Sequence, residues 1–155
     1  MISRQVVVVG LLLAAGAAAA VAQVRRPAVA PRLVPVAETR LIMEGLALAN
    51  FRGLEKLLKE KPADEETWAF ARGQALLIAE TGNLLMIRPP RNPGEATWME
   101  RASGLRSAAG ELAKSLGARD YNTSRQTLTV VANNCNACHQ TFRVKVRITP
   151  FAEKE

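Results

Sequence analysis

The sequence predicts an all-α protein, built as an antiparallel (up-down-up-down) four-helix bundle. Three observations lead there. The 155 residues are 48% hydrophobic but only 5% aromatic, with abundant Ala and Leu, which suits helix interfaces better than sheet interiors. Between Glu95 and Ala118 the apolar positions Trp98, Ala102, Leu105, Ala109, Leu112 and Leu116 alternate steps of four and three, tracing one stripe along a helix. Prolines and turn residues then divide the chain beyond residue 35 into four segments of roughly 24 residues, each about 36 Å long as a helix. Rods of similar length with short or medium connections pack antiparallel. The chain is long enough for one domain with a proper core, and too short for two.

The bundle is preceded by a different kind of sequence. Arg4 stands before an uncharged run from Val6 to Ala22, in which VVVVGLLL is the apolar centre and Ala20-Val21-Ala22 a small-x-small site before Gln23. Residues 1–22 therefore read as a secretory signal peptide, and the remainder as periplasmic or otherwise exported. A retained anchor is the competing reading, because Val6–Ala22 reaches the lower end of a membrane-spanning length. The alanine-rich second half and the A-x-A ending favour cleavage. Residues 23–35, QVRRPAVAPRLVP, carry three prolines without periodicity and read as an extended linker.

The first helix is expected from Val36 to Lys61, stopped by Pro62. The second spans Asp64–Ile87, with Asp64, Glu65 and Glu66 in its first turn, where the helix dipole favours acids. RPPRNPG, Arg88–Gly94, breaks the chain firmly. The third helix spans Glu95–Ala118. Asn122 or Thr123 is the expected cap of the fourth, which continues to about Arg147. Residues 36–147 thus form the domain and 148–155 a tail. Only VKVRI, near the end, alternates in a strand-like way.

Arg4 is the one charged residue up to Ala22, so of 21 basic and 14 acidic residues the exported part keeps a net charge of about +6. Solubility is sufficient reason for that charge, and steering toward an acidic protein partner is the second. Export and the lack of basic runs with interleaved aromatics argue against nucleic acid. No paired carboxylates, Ser/His pair or phosphate-cradling loop points to an enzyme.

The chemistry concentrates in CNACH. Cys135, Cys138 and His139 comprise every cysteine and histidine of the chain. Leu128, Val131, Cys135, Cys138 and Phe142 share one helical stripe, so both sulfurs face the bundle interior, and His139 follows Cys135 by four residues. A disulfide between cysteines three apart on a regular helix is a strained staple. A thioredoxin-type pair expects a βαβ setting. Zinc needs a fourth ligand, and no other Cys or His exists. C-x-x-C-H is instead the attachment signature of c-type haem, in which both thiols add to vinyl groups and the histidine binds iron. One covalently bound haem c is the expected cofactor. A haem-free interaction protein of the cell envelope is the remote alternative.

The position of the motif, as CNACHQTFR at the end of the last helix, resembles the class II c-type cytochromes, the cytochrome c′ family. Class I cytochromes c carry CxxCH near the N-terminus. A weaker match is RLIMEG, Arg40–Gly45, on the first helix. The resemblance spans Val36 to about Arg147, leaving the Pro-rich leader and the tail outside it. It implies that Met43 is the sixth iron ligand, as in low-spin members that transfer electrons. High-spin members leave that site open, and some bind nitric oxide or carbon monoxide. Met43 also reads as plain core filling, since methionine packs irregular gaps. The resemblance further implies that Arg143, four residues after His139, lies by the proximal pocket or haem edge. Arg40 would neutralise a haem propionate, although it precedes the methionine by three residues where relatives commonly show four. Family members often dimerise through their first two helices, and LIMEGLALANF is apolar on more than one face, so a homodimer is expected.

Overall fold

Residues 32–90 and 94–151 are described by the computed structural model; the expected signal peptide and most of the expected linker lie outside them. The first rod begins as α1 (Thr39–Ile42), passes through a π-helical stretch at Met43–Leu48, and continues as α2 (Ala49–Leu57). Three longer helices follow: α3 (Glu65–Met86), α4 (Glu95–Gly117) and α5 (Tyr121–Thr141). The described residues contain no strand. Contacts fix an antiparallel order. Trp98, at the start of α4, donates its indole N–H to the Leu85 carbonyl at the end of α3 (2.8 Å). Ser115, near the end of α4, meets Ser124 and Thr127, near the start of α5 (3.2 Å each). Tyr121, opening α5, reaches the Lys59 carbonyl just past the first rod (3.0 Å).

Helix ends follow local chemistry, and four differ from expectation. The first rod starts at Thr39 instead of Val36, which is 95% exposed and has nothing to pack against. It stops at Leu57 instead of Lys61, and the Leu58 carbonyl, for which Pro62 offers no N–H, is taken up by side chains of α5. Both the Tyr121 hydroxyl and the Arg125 guanidinium donate to the Leu58 carbonyl. At the start of α5, Asp120 is the cap in place of Asn122 or Thr123. Its carboxylate accepts from the Thr123 N–H (3.0 Å) and hydroxyl (2.7 Å). Asp64 makes the same pair of bonds to Thr67 ahead of α3, and in both cases these bonds hold the carboxyl below its ordinary pKa.

The largest correction concerns the fourth helix, which ends at Thr141 and not near Arg147. Arg143 takes a left-handed conformation (φ 57°), and the Val144 N–H returns to the His139 carbonyl at 2.8 Å. That reversal is a Schellman closure, with the last carbonyls satisfied by the residues that leave the helix. Gly94, at φ 137°, caps the start of α4 in a conformation that side-chain-bearing residues avoid.

The core contains Leu54, Leu58, Ile78, Leu112, Leu116, Leu128 and Val131, all essentially fully buried. Every residue of the third-helix stripe beyond Trp98 is buried, as its spacing predicts. Alanines 71, 75, 102, 109, 113 and 132 fill the remaining interfaces and let the backbones approach. Backbones come close at Gly82 of α3, where an added Cβ would lie 2.7 Å from the Ala102 carbonyl oxygen and 2.9 Å from the Arg106 nitrogen. Backbone atoms yield less readily than a side-chain tip. Gly82→Ala gains about 1 kcal/mol of helix propensity but overpacks at a cost of about 1–3 kcal/mol. Net destabilisation by about 1 kcal/mol is expected in urea unfolding. Gly110→Ala, with nothing within 4 Å of its Cβ, should stabilise the same helix pair.

Candidate cofactor cavity

The antiparallel order brings four helix ends together: the start of the first rod, the end of α3, the start of α4 and the end of α5. Between them lies a cavity of about 470 Å³, inside the roughly 300–1,000 Å³ range of small-molecule and cofactor sites. Ala47, Phe51, Ile78, Leu85 and Leu105 supply much of its apolar wall. Trp98 and Phe142, edge to face with ring centres 5.1 Å apart, also line it.

Met43, Cys135, Cys138 and His139 all line this one cavity. The two cysteines come from the predicted stripe of α5, continuing from buried Leu128 and Val131. Their thiols are free and half-buried. Burial pushes the Cys135 thiol up to about 11, with the neighbouring Cys138 adding to the effect. Burial raises Cys138 as well, and the Arg101 guanidinium pulls it back only in part. Both groups are therefore neutral thiols at neutral pH. Redox-active and nucleophilic cysteines need the opposite, a lowered pKa. Among the described residues, no three His, Cys, Asp or Glu side chains converge as ligands of a bare metal ion. Cys135, Cys138 and His139 share the cavity's lining with apolar side chains.

Met43 reaches the cavity from the π-helical stretch, together with Glu44, Ala47 and Leu48. Single π-type turns recur at functional sites because they re-aim side chains within a helix. Met86 and Met99 do not line the cavity. Arg40 stands at its rim, largely exposed, with Nε 2.8 Å from the Glu44 carboxylate. Arg143 is not among the lining residues; it is exposed and serves as the left-handed residue after α5.

Three contributors escaped sequence reasoning. Arg101 lines the cavity, and its Nε is buried with no hydrogen-bond partner among the described residues. Its signal was positional, three residues after Trp98 and four before Leu105, on the inward flank of α4. Asn136, inside the CNACH motif, binds Ile148 with both ends of its side chain. Val144, Val146 and Ile148 close the cavity from the segment after α5. The VKVRI alternation was their signal.

Compared with family models, with curated proteins and with solved structures, the chain finds no match in any of the three. Among the described residues, no helix is long and apolar enough to cross a membrane.

Proposed function

We propose that the chain is an exported monohaem c-type cytochrome of the cytochrome c′ kind that carries single electrons between protein partners. The observation that carries this reading is the meeting of Met43, Cys135, Cys138 and His139 on one apolar cavity. Haem fits the residues present. Its flat apolar ring matches the wall, the two thiols match its vinyl groups, and an imidazole and a thioether match its iron. Its carboxylates need a positive partner, and the buried Arg101 Nε–H has no acceptor among the described residues. An unpaired buried donor is costly, so a ligand carrying an anionic group relieves it.

Cys135 and Cys138 would tether the cofactor, His139 would bind the iron, and Met43 would complete its ligand set. Arg101 would neutralise a propionate, and Arg40 would do so at the rim if released from Glu44. Bound haem supplies the one-electron chemistry, while the protein supplies position, potential and access. A thioether beside an imidazole raises the potential and spares ligand rearrangement during transfer. The apolar wall excludes water. The net positive charge favours an acidic redox partner. A homodimer through the first two helices belongs to the same proposal, as does removal of residues 1–22 on export.

A second reading is a five-coordinate protein that binds nitric oxide or carbon monoxide. Ala47, Leu48 and Phe51, lining the cavity beside Met43, favour it, since such side chains would shield an open iron site. Absorption spectra of the reduced and oxidised protein, with and without carbon monoxide, separate the two. The electron carrier gives low-spin c-type bands that carbon monoxide leaves unchanged. Ready binding of carbon monoxide supports the second reading, and a haem-free protein contradicts both.

A further inference from the structure

We propose that Val144–Phe151 is a strap that fixes the His139 ring for iron binding, and that Asn136, between the two tethering cysteines, locks the strap in place. This inference rests on the haem reading of the cavity. His139 Nδ1 lies 2.8 Å from the Val146 carbonyl oxygen. A carbonyl can only accept, so Nδ1 carries the hydrogen, and in the neutral ring Nε2 keeps the lone pair an iron needs.

The strap is held independently of that bond. Asn136 Nδ2 donates to the Ile148 carbonyl at 2.7 Å, and its Oδ1 accepts from the Ile148 N–H at 2.8 Å. One amide side chain thereby satisfies both backbone groups of a residue two places beyond Val146. At the far end the Phe151 N–H donates to the Glu55 carboxylate (2.7 Å), while the Arg125 guanidinium lies 3.7 Å over the Phe151 ring. The segment therefore runs back along α5 and ties it to α2. Val144, Val146 and Ile148 line the cavity with one face while Lys145 and Arg147 do not, so the alternating sequence turns one side of the strap to the cavity, although Val144 and Val146 keep about half of their surface in solvent. The chemistry of thioether tethering sets no demand on the residue after Cys135. The strap explains an asparagine there.

A hydrogen bond from Nδ1–H to a carbonyl makes the opposite nitrogen a stronger donor. A stronger donor favours ferric iron and lowers the reduction potential. Covering the haem with apolar side chains acts the other way, because a dry site disfavours the extra ferric charge. Releasing the strap raises the potential if the hydrogen bond dominates, and lowers it if the segment is merely a cover.

The test is a spectroelectrochemical titration of the haem-loaded, full-length protein and of Asn136→Ala, Asn136→Asp and Ile148→Pro. Asn136→Ala and Ile148→Pro are expected to raise the potential. Asn136→Asp, which still accepts from the Ile148 N–H, should shift it less. Ile148→Pro removes that N–H from outside the attachment motif, so the strap is read even if changes at Asn136 impair haem loading. An unchanged or lowered potential in haem-loaded Ile148→Pro overturns the proposal. A wild-type chain without haem overturns the reading of the cavity, and this inference with it, which is a distinct result.

Discussion

Replacing both cysteines, Cys135→Ala with Cys138→Ala, is expected to abolish covalently bound haem while leaving a folded helical bundle. The effect on the cofactor is all or none, because the thioether bonds are the only covalent links the reading allows. The effect on the fold is small for a physical reason. Both side chains are only half-buried at the cavity wall, and neither is bonded to the other. Alanine is also the better helix former within α5. The stabilising core, around Leu112, Leu116 and Leu128, lies toward the opposite end of the bundle. Haem staining of a denaturing gel reads the first effect, and the far-ultraviolet circular dichroism signal reads the second. Haem that stays with the denatured double variant would rule out Cys135 and Cys138 as the tethers.

Met43→Ala should convert a low-spin optical spectrum into a high-spin one and open the iron to carbon monoxide. Three methionines lie among the described residues, and the cavity separates them: Met43 lines it, while Met86 and Met99 do not. Met86→Ala and Met99→Ala are therefore expected to leave the spectrum unchanged. Truncating a fully buried methionine costs about 2–5 kcal/mol. Met43 is only half-buried, so its variant should lose less and remain folded. An unchanged spectrum in Met43→Ala would remove it from the ligand set and favour the open-site reading.

Much of this was legible in the sequence because its signals were periodic. The step pattern of Trp98, Ala102 and Leu105 specified a helix face, and those residues do point inward, with Ala102 and Leu105 fully packed. The stripe from Leu128 through Cys138 likewise carried both thiols to the cavity. What stayed hidden depends on contacts between distant segments. Nothing local marks Leu57 as a helix end; Tyr121 and Arg125, more than 60 residues away, supply the donors that satisfy the Leu58 carbonyl. The π-helical stretch around Met43 has no composition signal. Val144 to Arg147 contains no glycine or proline, so no breaker residue marks the end of the fourth helix there. The alternating VKVRI pattern pointed against a helix there, and it has turned out to mark the wall of the cavity. The resemblance implies a place for Arg143 by the haem edge; the fold adds that it forms the left-handed turn that sends the strap back.

One haem on Cys135 and Cys138 of the exported chain is read by intact mass spectrometry of the protein recovered from the periplasm. The expected species begins at Gln23 and is heavier than its sequence by one haem, with no thiol left to alkylate. A chain at its unmodified mass, with both thiols open to alkylation after unfolding, would contradict that attachment.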